Sequence, residues 1–227
     1  MITGAIFDID GVILDSLGIW YDLGKRLLKS HGITADSSLS DTLFSMSMEQ
    51  GAEYLAENYP MELSPNEVLG EMEKMLESFY FYEVLPREGA KELLELMHDS
   101  NIPVVAATSS PYIHVKNALE RCNLLKYFKK IFTTSETGKS KHSPDIYLDA
   151  AAYLNSNPEN TMVFEDSLYA LKTAASAGFV TVGIHDPLGE KDTDGLKKTA
   201  KIYLESPESI DAVRNYLRNP SRKEGYI

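Results

Sequence analysis

The 227-residue sequence has a single cysteine, Cys122. That excludes an internal disulfide framework and any metal site built on several thiolates, and it suits a reducing compartment. Positive charge is scarce: 22 Lys and Arg stand against 34 Asp and Glu, a formal charge of -12. No Lys/Arg cluster offsets this field, which repels phosphate backbones, so nucleic acid is not an expected partner. No apolar run approaches the roughly 18 residues of a membrane span. The segment from Met1 to Asp8 lacks the basic stretch and apolar core of a secretory signal. A cytoplasmic protein with no membrane contact is the expectation. Repeats of fixed period and low-complexity segments are also missing.

What the chain does have is enough apolar material for a sizeable core, 43% hydrophobic against 25% charged residues. Short apolar runs recur at Gly4–Phe7, Pro103–Ala107, Lys130–Thr133, Thr161–Phe164 and Val180–Ile184. Such runs are typical of strands buried on both faces. Helix-patterned segments lie between the later ones, at Gly89–His98, Ile113–Arg121, Asp145–Leu154 and Leu168–Ala177. This alternation predicts an α/β fold with a doubly wound parallel sheet, closing with Lys201–Leu204 as a strand and Ser209–Arg218 as a helix before a loose tail. One interval breaks the rhythm. Leu17–His31, Leu39–Asn58 and Pro65–Tyr82 are helical in pattern, and Ser64-Pro-Asn-Glu67 has the form of a capping box with Pro at the first helical position. The expected domains are therefore a core of residues 1–16 and 86–227 and a small all-helical domain, residues 17–85, inserted after the first strand.

Chemistry-bearing residues stand at the ends of four of these strands. Asp8 and Asp10 flank one apolar residue past the first strand, where a parallel sheet places its active site, and Gly11 then permits a sharp turn. An isolated D-x-D is equally at home in an acidic loop. Thr108-Ser109-Ser110 offers hydroxyls and backbone N–H groups to an anion, although Ser and Thr are also ordinary helix caps. Lys141 precedes a Pro-initiated helix and could reach a phosphate, with Lys139 as a competitor for that role. Glu165 and Asp166 form a second acidic pair at a strand end, or else cap the helix from Leu168. Two acidic pairs facing each other across one sheet edge would repel unless a cation sat between them, and hard oxygen ligands favour Mg²⁺.

Taken in order, these pieces resemble the haloacid dehalogenase-like (HAD) phosphohydrolase superfamily. Asp8-x-Asp10-Gly-x-x-x-Asp15-Ser16 is similar to its first motif, Thr108 to its second and Lys141-x-x-Pro144-Asp145 to its third. Glu165-Asp166-Ser167 followed by Gly178 is similar to its fourth. The helical insertion resembles the small caps of the β-phosphoglucomutase-like branch. The resemblance implies an aspartyl-phosphate formed on Asp8, with Asp10 protonating the leaving oxygen and later deprotonating water. It implies Mg²⁺ held by Asp8, the backbone carbonyl of Asp10 and Asp166, with Glu165 partnering its waters, and Thr108, the Ser109 N–H and Lys141 on the phosphoryl oxygens. Dehalogenases of this fold lack the second carboxylate of the first motif and use no metal, so Asp10 points to phosphoryl transfer.

The expected function is Mg²⁺-dependent hydrolysis of a small phosphate monoester such as a sugar or polyol phosphate. The alternative is a phosphomutase, which must grip two phosphates. Met48 falls where related mutases place an Arg, and Trp20 where they place a histidine. Residues 17–85 hold 12 Asp or Glu against 4 Lys or Arg. Trp20, Tyr21, Phe44, Met46 and Met48 would form either an apolar rim for the substrate or the insertion's own core. His142 and the Lys191–Lys201 stretch have the character of solvated loop residues, and Cys122 that of helix packing. A receiver domain is disfavoured by the helical insertion, and a non-catalytic phosphate binder by the complete residue set. The expected partner is a small phosphorylated metabolite, and the expected state a monomer or weak homodimer.

Overall fold

The computed structural model describes residues 1–44 and 46–218. Within these, six strands form one parallel sheet: β1 (Gly4–Phe7), β2 (Val104–Thr108), β3 (Phe128–Thr133), β4 (Thr161–Glu165), β5 (Val180–Ile184) and β6 (Ile202–Leu204). The helices are α1 (Leu17–Ser30), α2 (Leu39–Phe44), α3 (Met48–Asn58), α4 (Pro65–Ser78), α5 (Ala90–Asp99), α6 (Tyr112–Arg121), α7 (Thr134–Thr137), α8 (Asp145–Tyr153), α9 (Leu168–Ser176), α10 (Thr193–Thr199) and α11 (Asp211–Arg218). Among the described residues, no helix is long and apolar enough to cross a membrane.

The chain divides into two compact units, one comprising Met1–Asp15 and Leu85 onward, the other Ser16–Val84. In the first, the strand order is β3-β2-β1-β4-β5-β6, so the winding reverses between β1 and β4. A sheet of this order opens a crevice at the carboxyl ends of the two strands flanking the reversal. Helix α8 packs on β1, β2 and β3, and α9 on β4 and β5. The core they close contains Ile6, Val105, Ala107, Phe132, Ile146, Ala150, Val163 and Phe179. Each fully buried large aliphatic or aromatic side chain contributes about 1.5–3 kcal/mol relative to exposure. Phe7 and Phe164 stack with ring centroids 3.9 Å apart, locking β1 against β4 beside the reversal.

The second unit is helical. Its core is built from Leu23, Leu27 and Leu28 of α1, Leu55 of α3, and Val68, Met72 and Leu76 of α4, with Leu39, Phe79 and Tyr80 also buried. The capping box at Ser64 forms as the sequence suggests: the Glu67 N–H donates to Ser64 Oγ, and Glu67 accepts from the Ser64 N–H at 2.8 Å. The single helix expected over Leu39–Asn58 is instead two, because Ser47 caps a new start at Met48 and Gln50 returns the bond to the Ser47 N–H at 2.9 Å. The last helix of the unit ends at Ser78 and continues as one π-helical turn, Phe79–Glu83. The loop expected over Lys191–Lys201 contains α10, started by Asp192 accepting from the Gly195 N–H at 2.8 Å. Cys122 lies one residue past α6, half-buried, rather than within that helix. Ser45 and the tail after Arg218 lie outside the described residues, as does the side chain of Phe44.

Gly89 opens α5 with φ of 82°, and a Cβ there would come within 2.3 Å of the Glu208 backbone nitrogen. Gly89→Ala should therefore cost roughly 2 kcal/mol or more, from left-handed backbone strain together with backbone displacement. Thermal unfolding should fall by about 4–8 °C on that basis; an unchanged melting temperature would contradict the close approach.

Candidate active site

Strand register assembles the site. Phe7 pairs with Phe164 of β4 and with Ala106 of β2. One step further along the strands, Asp8 is level with Glu165, and its N–H donates to the Phe164 carbonyl at 2.9 Å. The next residues on β2 and β4 are Ala107-Thr108 and Asp166. Asp8, Thr108, Lys141, Glu165 and Asp166 are all buried, whereas Asp10 is half-buried and Ser109 exposed. Past Asp10 the chain reverses at Gly11, whose φ is 75° and whose N–H donates to the Leu14 carbonyl at 3.0 Å.

Lys141 binds two of the carboxylates at once. Its Nζ donates to Asp8 Oδ1 at 2.5 Å and to Glu165 Oε1 at 2.7 Å. Tyr147, fully buried on α8, donates to the same Glu165 oxygen at 2.7 Å. Ser110 Oγ donates to Asp10 Oδ2 at 2.6 Å, while the Ser110 N–H donates to Thr108 Oγ1 at 3.0 Å, so the turn after β2 is tied to the turn after β1. Lys139, the competing cation, instead pairs with Asp145 at 2.6 Å on the surface. His142 is exposed and stacks on Tyr169 with ring centroids 4.4 Å apart, so it is more than a solvated loop residue.

The electrostatics follow from crowding. Burial, reinforced by Glu165 and Asp10, pushes the Asp8 carboxyl up to about 8 against the pull of Lys141. Asp166 is also held well above the ordinary carboxylate range, by burial first and then by Asp8 and Glu165. Burial alone would lower Lys141, but Asp8 and Glu165 more than offset it and raise its pKa, so it remains an ammonium. Tyr147 is raised by burial and by Glu165, so its phenol keeps its proton.

The donor set fits a divalent cation. Asp8, Glu165 and Asp166 each offer a carboxylate oxygen, and these oxygens lie within 4.8 Å of one another. Glu165 Oε2 is buried with no hydrogen-bond partner, although Oε1 has two. A buried carboxylate oxygen left unpaired is costly, and three carboxylates against one ammonium leave an excess of two negative charges when all are ionised. All donors are hard oxygens, the preference of Mg²⁺.

Trp20 and Met48 belong to the helical unit, Trp20 on α1 and Met48 at the first position of α3, both half-buried. Tyr21, whose hydroxyl donates to Asp41 at 2.7 Å, and Met46 are also half-buried. None of these four side chains is among the unit's fully buried residues. Three residues escape sequence reasoning. Ser110 belongs to a hydroxyl-rich turn in which nothing in the sequence sets it apart from its neighbours. Tyr147 sits on the apolar face of a helix and looks like packing. Arg87, near the return from the insertion, looks like a surface charge, yet its side chain is 10% exposed.

The folded state holds the Asp8 proton more tightly than the unfolded chain does. The stabilisation this gives is complete below the ordinary value of 3.8 and is lost as pH rises towards 8. Removing one repelling carboxylate by Asp166→Asn should therefore raise the melting temperature of metal-free protein at about pH 8, by about 2–4 °C for each kcal/mol relieved, and much less at about pH 5. Thermal unfolding in chelator checks this; an equal change at both pH values would mean that the carboxylates do not repel.

Known proteins are similar to this chain over most of its length. Residues 5–184 match the haloacid dehalogenase-like hydrolase family. A phosphorylated carbohydrates phosphatase from Thermotoga maritima is 27% identical over 206 residues, covering 90% of this chain and 94% of that protein. A probable pseudouridine-5'-phosphatase from Drosophila melanogaster is 28% identical over 218 residues, covering 92% and 94%. The solved structure of a candidate β-phosphoglucomutase from Thermotoga maritima superposes with a TM-score of 0.82 at 26% identity, over 94% of this chain and 99% of that one. With the family matched over most of its length and the strand order and acidic cluster in place, the chain belongs to the haloacid dehalogenase-like hydrolases, as a phosphoric monoester hydrolase of the branch that holds phosphatases and β-phosphoglucomutases.

Proposed function

We propose that the protein hydrolyses a small phosphate monoester, of the sugar or polyol phosphate class, in two displacements at Asp8. The observation that carries this reading is the buried cluster of Asp8, Lys141, Glu165 and Asp166 at the reversal of the sheet, with Asp10 beside it on the exit turn. A carboxylate is a poor nucleophile towards a phosphate dianion because like charges repel. The Lys141 ammonium, fixed on Asp8, reduces that repulsion. Asp8 and Asp166, with the Asp10 carbonyl and with Glu165 beside them, would hold Mg²⁺, which when bound supplies charge neutralisation to the phosphate.

In the first displacement an Asp8 oxygen forms a bond to phosphorus as the ester oxygen departs, and Asp10 gives that oxygen its proton. In the second, water attacks phosphorus, Asp10 takes the proton, and phosphate leaves with Asp8 restored. Thr108, the Ser109 N–H and Lys141 would hold the phosphoryl oxygens. Hydrolysis is favoured over mutase chemistry by the helical unit, which has 12 acidic and 4 basic residues between positions 17 and 85 and Met48 in place of a cap arginine. The sugar-phosphate class is favoured by the two phosphatase relatives, whose names refer to phosphorylated carbohydrates and to a nucleoside phosphate. Trp20 and Met48 are proposed substrate contacts.

Phosphate release from sugar, polyol and nucleoside monophosphates, measured with Mg²⁺ and with chelator, tests this reading. Release is expected only with metal, and Asp8→Asn should lower it roughly 1,000-fold or more without unfolding the protein. Turnover surviving in Asp8→Asn would overturn the nucleophile. Folded wild type that releases phosphate from no monoester, but is active with a sugar bisphosphate as activator, would favour the mutase.

A further inference from the structure

Arg87 occupies an unusual place for a charged side chain. The two limbs of chain that lead into and out of the insertion pair by their backbones: the Asp15 N–H donates to the Leu85 carbonyl and the Arg87 N–H to the Ile13 carbonyl, each at 2.9 Å, around a bridge between Leu14 and Pro86. From that seam the Arg87 guanidinium turns inward. Its Nη1 donates to the carbonyl of Gly11, the residue after Asp10, and its Nη2 to the carbonyl of His185, just past β5, at 2.8 Å. Asp186 supplies the counter-charge, with Oδ2 3.7 Å from Nη1, and is itself 6% exposed and anchored by the Leu188 N–H on Oδ1 at 2.8 Å.

We propose that Arg87 is a positioning residue for Asp10, fixing the peptide that follows it to the exit of β5. This rests on the reading of Asp10 as proton donor to the leaving oxygen. Three facts converge on it. The Asp10 carboxylate is held from the β2 side by Ser110 Oγ, and the turn that carries it is closed by local bonds, Gly11 to Leu14 and Ile13 and Leu14 to Ile9, to which the guanidinium adds a tie from Gly11 to the exit of β5. The planar guanidinium presents its donors in a rigid fork that reaches both carbonyls; an ammonium on its flexible stem would not hold the two in the same fixed geometry. And a largely buried ion pair is no more stabilising than a well-packed apolar pair, so stability alone does not account for Arg87 and Asp186 here.

The consequence is specific. A misplaced proton donor slows departure of poor leaving groups, which need the proton, and barely affects good ones. The test is kcat/KM over a series of aryl phosphates from p-nitrophenyl to phenyl phosphate, for wild type, Arg87→Lys and Asp10→Ala. For Arg87→Lys the expected loss is about 10- to 100-fold on phenyl phosphate and less than about 3-fold on p-nitrophenyl phosphate. Asp10→Ala should give a steeper version of the same dependence. Equal loss across the series in Arg87→Lys, with the steep dependence kept in Asp10→Ala, overturns the positioning role and leaves the reading of Asp10 intact. No steepening in Asp10→Ala itself overturns that reading, and the role of Arg87 with it. Should Arg87→Lys fail to fold, Arg87→Met combined with Asp186→Asn removes both charges of the pair and leaves no buried ion unpaired; it is expected to show the same selective loss, and a uniform loss would overturn the proposal.

Discussion

Three carboxylates and one ammonium share a buried space at the carboxyl edge of β1 and β4, and this is the constraint around which the core is organised. Left alone, such a group is unstable: desolvation and mutual repulsion drive Asp8 and Asp166 towards the protonated state. The chain offsets part of that cost with Lys141, which bridges Asp8 and Glu165, and with the Tyr147 hydroxyl on Glu165. With all three carboxylates ionised the balance still falls short by two charges, and the uncommitted oxygen of Glu165 marks where the shortfall is left. A fold that spends stability in this way retains the strain for a ligand with positive charge.

The sheet makes the arrangement possible because its winding reverses there. Neighbouring strands in a singly wound sheet send their connections to the same side, so crowding at the strand ends is relieved by loops. Between β1 and β4 the connections leave in opposite directions, and the stacked Phe7 and Phe164 rings hold the two strand ends in register. Asp8 and Glu165 therefore meet without any loop having to order them. What loops do supply is correlation between strands: Ser110 links the turn after β2 to Asp10, and Lys141 arrives from the segment between α7 and α8.

Much of this is visible in the sequence because the relevant signals are local. Runs such as Gly4–Phe7 and Val180–Ile184 are apolar on both faces and end abruptly, and they form strands over those same residues. The order of acidic pair, hydroxyl, lysine and acidic pair follows from strand ends alone. The misses have a common cause. Ser47 and Gln50 carry a capping signature in the middle of a continuous apolar periodicity, and the cap prevails. In α10, Gly195 disguises a helix, although a Cβ there would come within 2.3 Å of the Asp192 carboxylate that caps it. Tyr147 and Arg87 acquire their roles only through partners 18 and 76 residues away, at Glu165 and Gly11. Neither separation leaves a trace in spacing.

The contrast between the buried carboxylates and Asp10 also accords with the division of chemical labour proposed above. Asp8, Glu165 and Asp166 are buried and crowded together, and Lys141 pairs with Asp8 and Glu165. Lys141 keeps its own proton because two carboxylates hold it, which makes it a fixed charge and unsuited to act as a base. Asp10 differs: it is half-buried, stands on a turn rather than a strand, and accepts a hydroxyl hydrogen bond from Ser110. Carboxylates separated in this way by their surroundings take different parts in catalysis. The buried group suits bonding to phosphorus and to a cation, and the half-exposed one suits trading protons with a leaving group and with water.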